Sequence, residues 1–395
     1  MPGGSSHLVL NGLLYFMILT LGSSASIAGL VNKFIAAHYS VENYIIGYCF
    51  TVYSVAYASS VFSVGWMLEK FSVRSLLRAY CALAALAIIC FANAPTLIVF
   101  TVFLFLFGCG MGIMLPAAFH VTLLLYDAKV RSAKSIAVTF FYAVGSIIGP
   151  ILAGLALDRG VTWQGVYYAV VAMLLAVILG TFIPQLKTFA PKKADRGAEK
   201  VEWSLNVFLA GLSVFCFMIS EFIFGYWIIQ YLMDRLAVGV VLASAALSLW
   251  WGCITTGRLA GSFILSRISL AKYIIVSSAV ASVAYFGLLG AATYAQAMVL
   301  IGIKGFAYSS LYPTLISFGT FQTPKPSPRT TSFFLASGSA GIIFSVILSS
   351  SLKQYFDYEV MLAAGASLIA AVAVVTAVVA HRNNKRPHAP STPAQ

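Results

Sequence analysis

Two ionisable residues stand inside long apolar runs: Glu221 in SVFCFMISEFIFGYW and Lys304 in LIGIKGFAYSS. Deep in a bilayer each charged side chain costs at least ~2.5–3.5 kcal/mol on insertion scales, so a charge that persists there faces a wet cavity or a partner. The two runs are the seventh and tenth apolar segments and cross in opposite directions, which brings both residues near the same mid-depth. A carboxyl group in that position can load and release a proton, and an ammonium can hold an anionic or polyhydroxylated solute. Tyr308 and Tyr312 follow Lys304 at intervals of one helical turn and add two hydroxyls close to its face. The same pair also admits a plain reading, a static Glu221–Lys304 ion pair that locks the second half of the chain together. Both readings stay open at this level.

Other candidates are less specific. Tyr53 and Tyr57 sit one turn apart in the second run, and Trp250 and Trp251 lie in the eighth; all are candidates to line a binding cavity or to pack against neighbours. Ser23, Ser24 and Ser26 in the first run are ligands or small helix-packing residues. His120 is a proton relay or a histidine satisfied by a carbonyl. Lys33 and Glu42 flank the first turn, where snorkelling accounts for both. Gly145, Gly149, Pro150 and Gly154 in GSIIGPILAG suit close packing at a kink. The six cysteines all fall inside apolar runs without CxxC spacing, so no disulfide framework or metal site is expected. There is no phosphate-cradling GxxxxGK[ST] and no HExxH. The chain is therefore not expected to be an enzyme, and no cofactor is expected.

The elements that must position these residues follow from composition. Hydrophobic residues make up 61% of the 395 and charged residues 9%, against roughly a quarter charged in soluble domains. An all-α integral membrane protein is expected, and the net charge of +13 serves topology rather than nucleic acid. Segments long enough to cross ~30 Å of hydrocarbon recur at 9–36, 43–67, 75–94, 96–124, 134–157, 163–184, 204–233, 239–264, 273–291, 295–319, 331–352 and 359–380. Six precede and six follow the polar stretch that holds Lys187, Lys192, Lys193, Arg196 and Lys200. The expected organisation is an N-terminal lobe over 1–186, a basic linker over 187–202, a C-terminal lobe over 203–380 and a disordered tail over 381–395. Lys70, Arg74 and Arg78, then Lys129, Arg131 and Lys134, then the linker, Arg267 and Lys272, Lys325 and Arg329, and the tail cations all fall on one side. Arg159, Arg235 and Lys353 fall on the other, so the positive-inside rule puts both termini in the cytoplasm. Arg258 is left inside a helix without an assigned partner.

After the second run comes GWMLEKFSVRSLLR, with Gly65, Glu69, Lys70 and Arg74, and the second half offers an echo in GRLAGSFILSR through Gly257, Arg258, Gly261 and Arg267. With the two sets of six spans, this pattern resembles the major facilitator superfamily, whose loop signature between helices two and three it matches with Glu, Lys and Ser72 in place of the usual Asp, Arg and second glycine. The run YSSLYPTLISFGTFQTPKPSPRTTSFFLASGSAG is similar to helices ten and eleven of the fucose/proton symporter-type branch, and most of all to its TsgA-type members. The resemblance implies a monomeric secondary active transporter of the inner membrane, surrounded by lipid and working by alternating access. It implies that helices one, four, seven and ten line the cavity, and that the charges at Glu69, Lys70 and Arg74 hold the cytoplasmic side shut. That branch places proton-carrying carboxylates in helices one and four, where this chain has no Asp or Glu. Proton coupling would then fall to Glu221, with Lys304, Tyr308, Tyr312, Tyr53, Tyr57 and Trp250 facing the solute. The leading expectation is proton-coupled symport of a small sugar-like solute or organic anion. The alternative is a proton-coupled exporter of an amphipathic compound such as a drug or siderophore, which the antiporter-like GSIIGPILAG motif and the aromatic content support.

Overall fold

The structure is a computed structural model that describes residues 4–68, 70–126, 128–184, 186, 203–323 and 328–384. All twelve expected spans are helical. The first six are α1 (Gly4–Tyr39), α2 (Asn43–Leu68), α3 (Val73–Ala92), the broken pair α4 (Leu97–Met111) and α5 (Met114–Leu125), α6 (Ala128–Asp158) and α7 (Trp163–Gly180). The second six are α8 (Leu205–Arg235), α9 (Val240–Leu265), α10 (Leu270–Leu289), the broken pair α11 (Tyr294–Tyr308) and α12 (Leu311–Thr320), α13 (Pro328–Tyr355) and α14 (Tyr358–Asn384). The proposed linker, 187–202, and residues 385–395 of the tail lie outside the described residues.

Helix starts are written in the sequence as side-chain caps. Ser72, Thr96, Thr162, Ser269 and Thr293 each accept a hydrogen bond from the backbone N–H three residues on, which satisfies a donor that the first turn leaves free. Two of these caps repeat between the halves. Asn43–Leu68, Val73–Ala92 and Leu97–Met111 recur as Val240–Leu265, Leu270–Leu289 and Tyr294–Tyr308, each displaced by the same 197 residues. The breaks that divide the fourth and tenth spans, at Gly112–Ile113 and Ser309–Ser310, keep that displacement.

Within the first lobe α1 packs on α6, and α4 packs on α2 and α3; within the second, α8 packs on α13 and α14, and α10 on α11 and α14. The lobes meet along α6–α9, α2–α13 and α1–α8. The face where the described chain begins and ends is called here the terminal face, and the opposite one the loop face. In the half toward the loop face the lobes are tightly joined. Lys33 pairs with Asp234 at 2.7 Å, Asn32 donates to the Tyr226 hydroxyl at 3.1 Å, and Gln230 donates to the Gly29 carbonyl. Asn43 donates to the Tyr358 hydroxyl at 3.1 Å, Tyr48 and Ser351 share a hydrogen bond of 2.9 Å, and Ser248 donates to the Ile147 carbonyl at 2.7 Å. The snorkelling expected of Lys33 gives way to this pairing, because Asp234 of the opposite lobe ends the seventh span at the same level. The ion pair itself is exposed and contributes at most about 1 kcal/mol.

Glycine makes this closeness possible. A Cβ on Gly29 would collide with the Tyr226 carbonyl, one on Gly47 with Ser350, and one on Gly154 with Ser244, each across the lobe boundary. Gly29→Val is therefore expected to force the lobes apart at the loop face, raising severalfold the reaction of a cysteine placed at Asn43→Cys with a water-soluble maleimide. An unchanged labelling rate would show that the seam does not depend on backbone contact.

Candidate functional site

The midplane of the second lobe is built on α8, α9, α10 and α11. Lys304 is fully buried (0% exposed) and its Nζ makes no hydrogen bond. Four rings surround it instead: the centroids of Phe224, Tyr308, Trp250 and Tyr285 lie 3.6, 3.9, 4.7 and 4.7 Å from Nζ. Ring faces carry the negative side of an aromatic quadrupole, so this cage stands in for an acceptor, each desolvated contact contributing up to about 2 kcal/mol. The cage is held rigid by its own edges. Phe224 packs on Trp250 at 4.8 Å and edge-on against Tyr285 at 5.3 Å. Ser220 donates to the Gly365 carbonyl at 2.6 Å, so in the 2.6 Å bond between Tyr308 and Ser220 the phenol must be the donor. Gly305 completes the fit, since a Cβ there would meet the Trp250 carbonyl at 2.8 Å.

Glu221 sits one residue beyond Ser220 on α8 and is only partly buried. It makes no ion pair with Lys304; the ion pairs among the described residues are Lys33–Asp234 and Arg235–Glu359. Its neighbour Ser220 bonds the Tyr308 hydroxyl, so Glu221 stands directly beside the cage that encloses Lys304. Arg258, left unplaced by the sequence, reaches the break of the tenth span. Although it lies well inside α9 it remains exposed, and its Nε donates to the Ser309 carbonyl at 3.2 Å, at the break of the tenth span. That bond occupies a carbonyl which the interrupted helix leaves free. Gly257 and Gly261, flanking Arg258 on α9, allow the approach, because a Cβ on either would press on Ser309 or Ser310.

The first lobe faces this group with aromatic rings. Tyr53 and Tyr57 stack at 6.3 Å and are half-buried, and Tyr142 meets Trp251 of the second lobe edge-on at 5.9 Å. Tyr312 is half-buried and stacks on Phe217 at 6.2 Å. The residues singled out in the sequence thus fall into two sets. Glu221, Tyr312, Tyr53 and Tyr57 are half-buried, whereas Lys304, Tyr308 and Trp250 are buried in the cage. The three serines of α1 are bonded to backbone carbonyls, Ser23 to Gly145 at 3.1 Å, Ser24 to Leu21 at 3.0 Å and Ser26 to Gly22 at 3.0 Å. Gly145 and Gly149 pack against Leu19 and Ser23 of α1, so the glycines of GSIIGPILAG act in helix packing.

Of the terminal-face cluster, Glu69 lies outside the described residues and Gly65 is placed only as part of α2. Lys70 is exposed, with Nζ 3.8 Å above the Trp66 ring, and Arg74 donates to the Ile183 carbonyl within its own lobe. Neither bridges to the second lobe in this conformation.

Because burying an ammonium without a carboxylate offsets what the ring contacts return, Lys304→Met is expected to leave the thermal unfolding midpoint unchanged or higher, whereas Phe224→Ala costs about 3–5 kcal/mol. A marked loss of stability in Lys304→Met, measured in detergent, would show that the ring contacts outweigh the cost of burying the charge.

Residues 13–328 match the Major Facilitator Superfamily. Protein TsgA of Escherichia coli O1:K1 / APEC is 25% identical over 296 residues, covering 74% of this chain and 75% of that protein. Among solved structures, a mutant of the nucleoside transporter NupG superposes with a TM-score of 0.78 at 14% identity, covering 94% of this chain and 99% of that one. A mutant of the E. coli fucose:proton symporter FucP superposes with a TM-score of 0.60 at 17% identity, covering 95% and 99%.

Proposed function

Given that this chain belongs to the Major Facilitator Superfamily, and is by that membership a multi-pass membrane protein engaged in secondary transport rather than an enzyme, we propose that it carries a small hydrophilic solute, sugar-like or an organic anion, together with a proton. The observation that supports this most is Glu221 itself. It is a partly exposed carboxyl group inside the seventh span, one residue from the Lys304 cage, with no ion pair among the described residues. A carboxyl group locked in an ion pair is a poor proton carrier, while one left free beside movable cations can exchange its proton as the lobes rock.

In this proposal Arg258 and Tyr312 make the first contacts with the solute, and Tyr53, Tyr57, Tyr142 and Trp251 stack on its apolar face. Lys304 enters the site only when α11 shifts at the Ser309–Ser310 break, opening the ring cage toward Glu221. The terminal face is the cytoplasmic side of the inner membrane, so the conformation described, joined at the loop face, is the one open to the cytoplasm. Lys70 and Arg74 engage the other lobe only in the opposite conformation. The protein works as a monomer. A second reading, proton-coupled export of an amphipathic compound, draws support from the same four aromatic side chains, which suit an apolar solute as well as a sugar ring.

A thermal-shift screen against sugars, carboxylates and amphipathic cations separates these readings, because a ligand stabilises the state it binds. With the ligand in hand, Glu221→Gln is expected to retain binding and exchange in proteoliposomes while losing accumulation driven by a pH gradient. Accumulation at the wild-type level in Glu221→Gln would remove Glu221 from the coupling step. For an organic anion, Arg258→Ala should weaken binding by at least tenfold, the scale of losing a charged hydrogen-bond partner. A reporter fused after Asn384 should report cytoplasm, and a signal from the other side would reverse the assigned direction.

A further inference from the structure

On the flank of the second lobe, α9, α10 and α11 enclose a groove of about 420 Å³, within the ~300–1,000 Å³ of small-molecule sites. We propose that it holds one acyl chain of an anionic phospholipid, whose headgroup stands between Arg267 and Lys272. The inference is independent of what the protein transports.

Depth and direction come first. The α9 lining runs from Cys253 to Ile264, about 16 Å of helix, roughly half of the ~30 Å hydrocarbon core. Since α9 ends at the terminal face at Leu265, the groove occupies the depth of a single leaflet on that side. Its rim residues Val276, Val280, Ile303 and Phe306 are all exposed and all end in carbon. With Ser277 and Tyr273 as its only hydroxyl-bearing side chains, the lining is mostly carbon and suits an acyl chain better than a hydrophilic solute.

The floor is made of glycines, and one of them has no other explanation. Gly257 and Gly261 let the broken tenth span approach α9, as described above. Gly302 does not serve that end: a Cβ there would meet only Cys253 Sγ at 3.7 Å, an ordinary contact. Glycine inside a helix is less favourable than alanine by about 1 kcal/mol. At this position its effect is to keep the groove deep enough for a chain.

The charges sit at the mouth. Arg267 follows the end of α9 and Lys272 lies in the first turn of α10; both are exposed, and neither has a carboxylate partner among the described residues. The Arg267 guanidinium lies over the Phe263 ring at 4.1 Å, which leaves its N–H edge to face a phosphate. The α10 N-terminus adds backbone N–H groups that favour the same anion. Two cations without an acid select a headgroup with net negative charge over a zwitterionic one.

The test uses the purified full-length protein, stripped of lipid in detergent, with thermal unfolding followed on adding dioleoyl phosphatidylglycerol or dioleoyl phosphatidylcholine at equal concentration. The wild type should gain more from phosphatidylglycerol. Arg267→Ser with Lys272→Ser should lose that preference and keep its response to phosphatidylcholine, and Gly302→Leu, which fills the groove, should lose its response to both. No preference in the wild type, an undiminished preference in the double variant, or an unchanged response in Gly302→Leu would each overturn the proposal. The double variant changes only exposed side chains, so it reports even where Gly302→Leu fails to fold.

Discussion

A charge taken into hydrocarbon has to be met by water, by an opposite charge or by the faces of aromatic rings. The second lobe is arranged around that constraint and uses all three means. Arg258 and Glu221 keep part of their surface exposed, Asp234 is met by Lys33 at the loop face, and Lys304 is enclosed by four rings. These solutions are not equivalent mechanically. An exposed ion pair across the lobes adds little to their attachment, a cage within one lobe stiffens that lobe, and a partly exposed group without an ion pair keeps its freedom to move.

The repeat at 197 residues shows how unevenly that burden is shared. At this displacement Ser24 stands where the second lobe has Glu221, Phe107 where it has Lys304, and Tyr53 where it has Trp250. The first lobe thus keeps the lengths of α2, α3 and α4, two of the caps and the breaks, but among the described residues carries no ionised group at mid-depth. Ser24 returns its hydroxyl to its own helix, and Phe107 packs in the core. The first lobe supplies the aromatic wall, and the second supplies the charges that act on it.

Much of this was legible in the sequence, for reasons that also mark where legibility stops. Span positions follow from hydropathy, which depends on local composition alone, and the caps Ser72, Thr96, Ser269 and Thr293 are local too. The mid-depth location of Glu221 and Lys304 follows from counting along two antiparallel helices. Rotation about the helix axis is a different matter. Whether Lys304 points between the lobes or into its own lobe depends on Phe224, Trp250 and Tyr285 arriving from α8, α9 and α10, and no local pattern fixes that. Arg258 went unplaced because its partner is a main-chain carbonyl at a helix break, and the break is visible in the sequence only as the pair Ser309–Ser310.

The seam at the loop face has a kinetic meaning as well as a structural one. Contacts made through Gly29, Gly47 and Gly154 bring backbone against the other lobe, and such contacts lose their attraction within about an ångström of separation. A seam of this kind has little holding power at partial opening, so the lobes favour fully joined or fully parted arrangements over graded ones. A carrier that lingered half-open at one face while open at the other would be a pore and would short-circuit the gradient that drives it. Glycines spaced along the lobe boundary therefore guard against leakage, a property set by the steepness of packing forces rather than by any residue that touches the cargo.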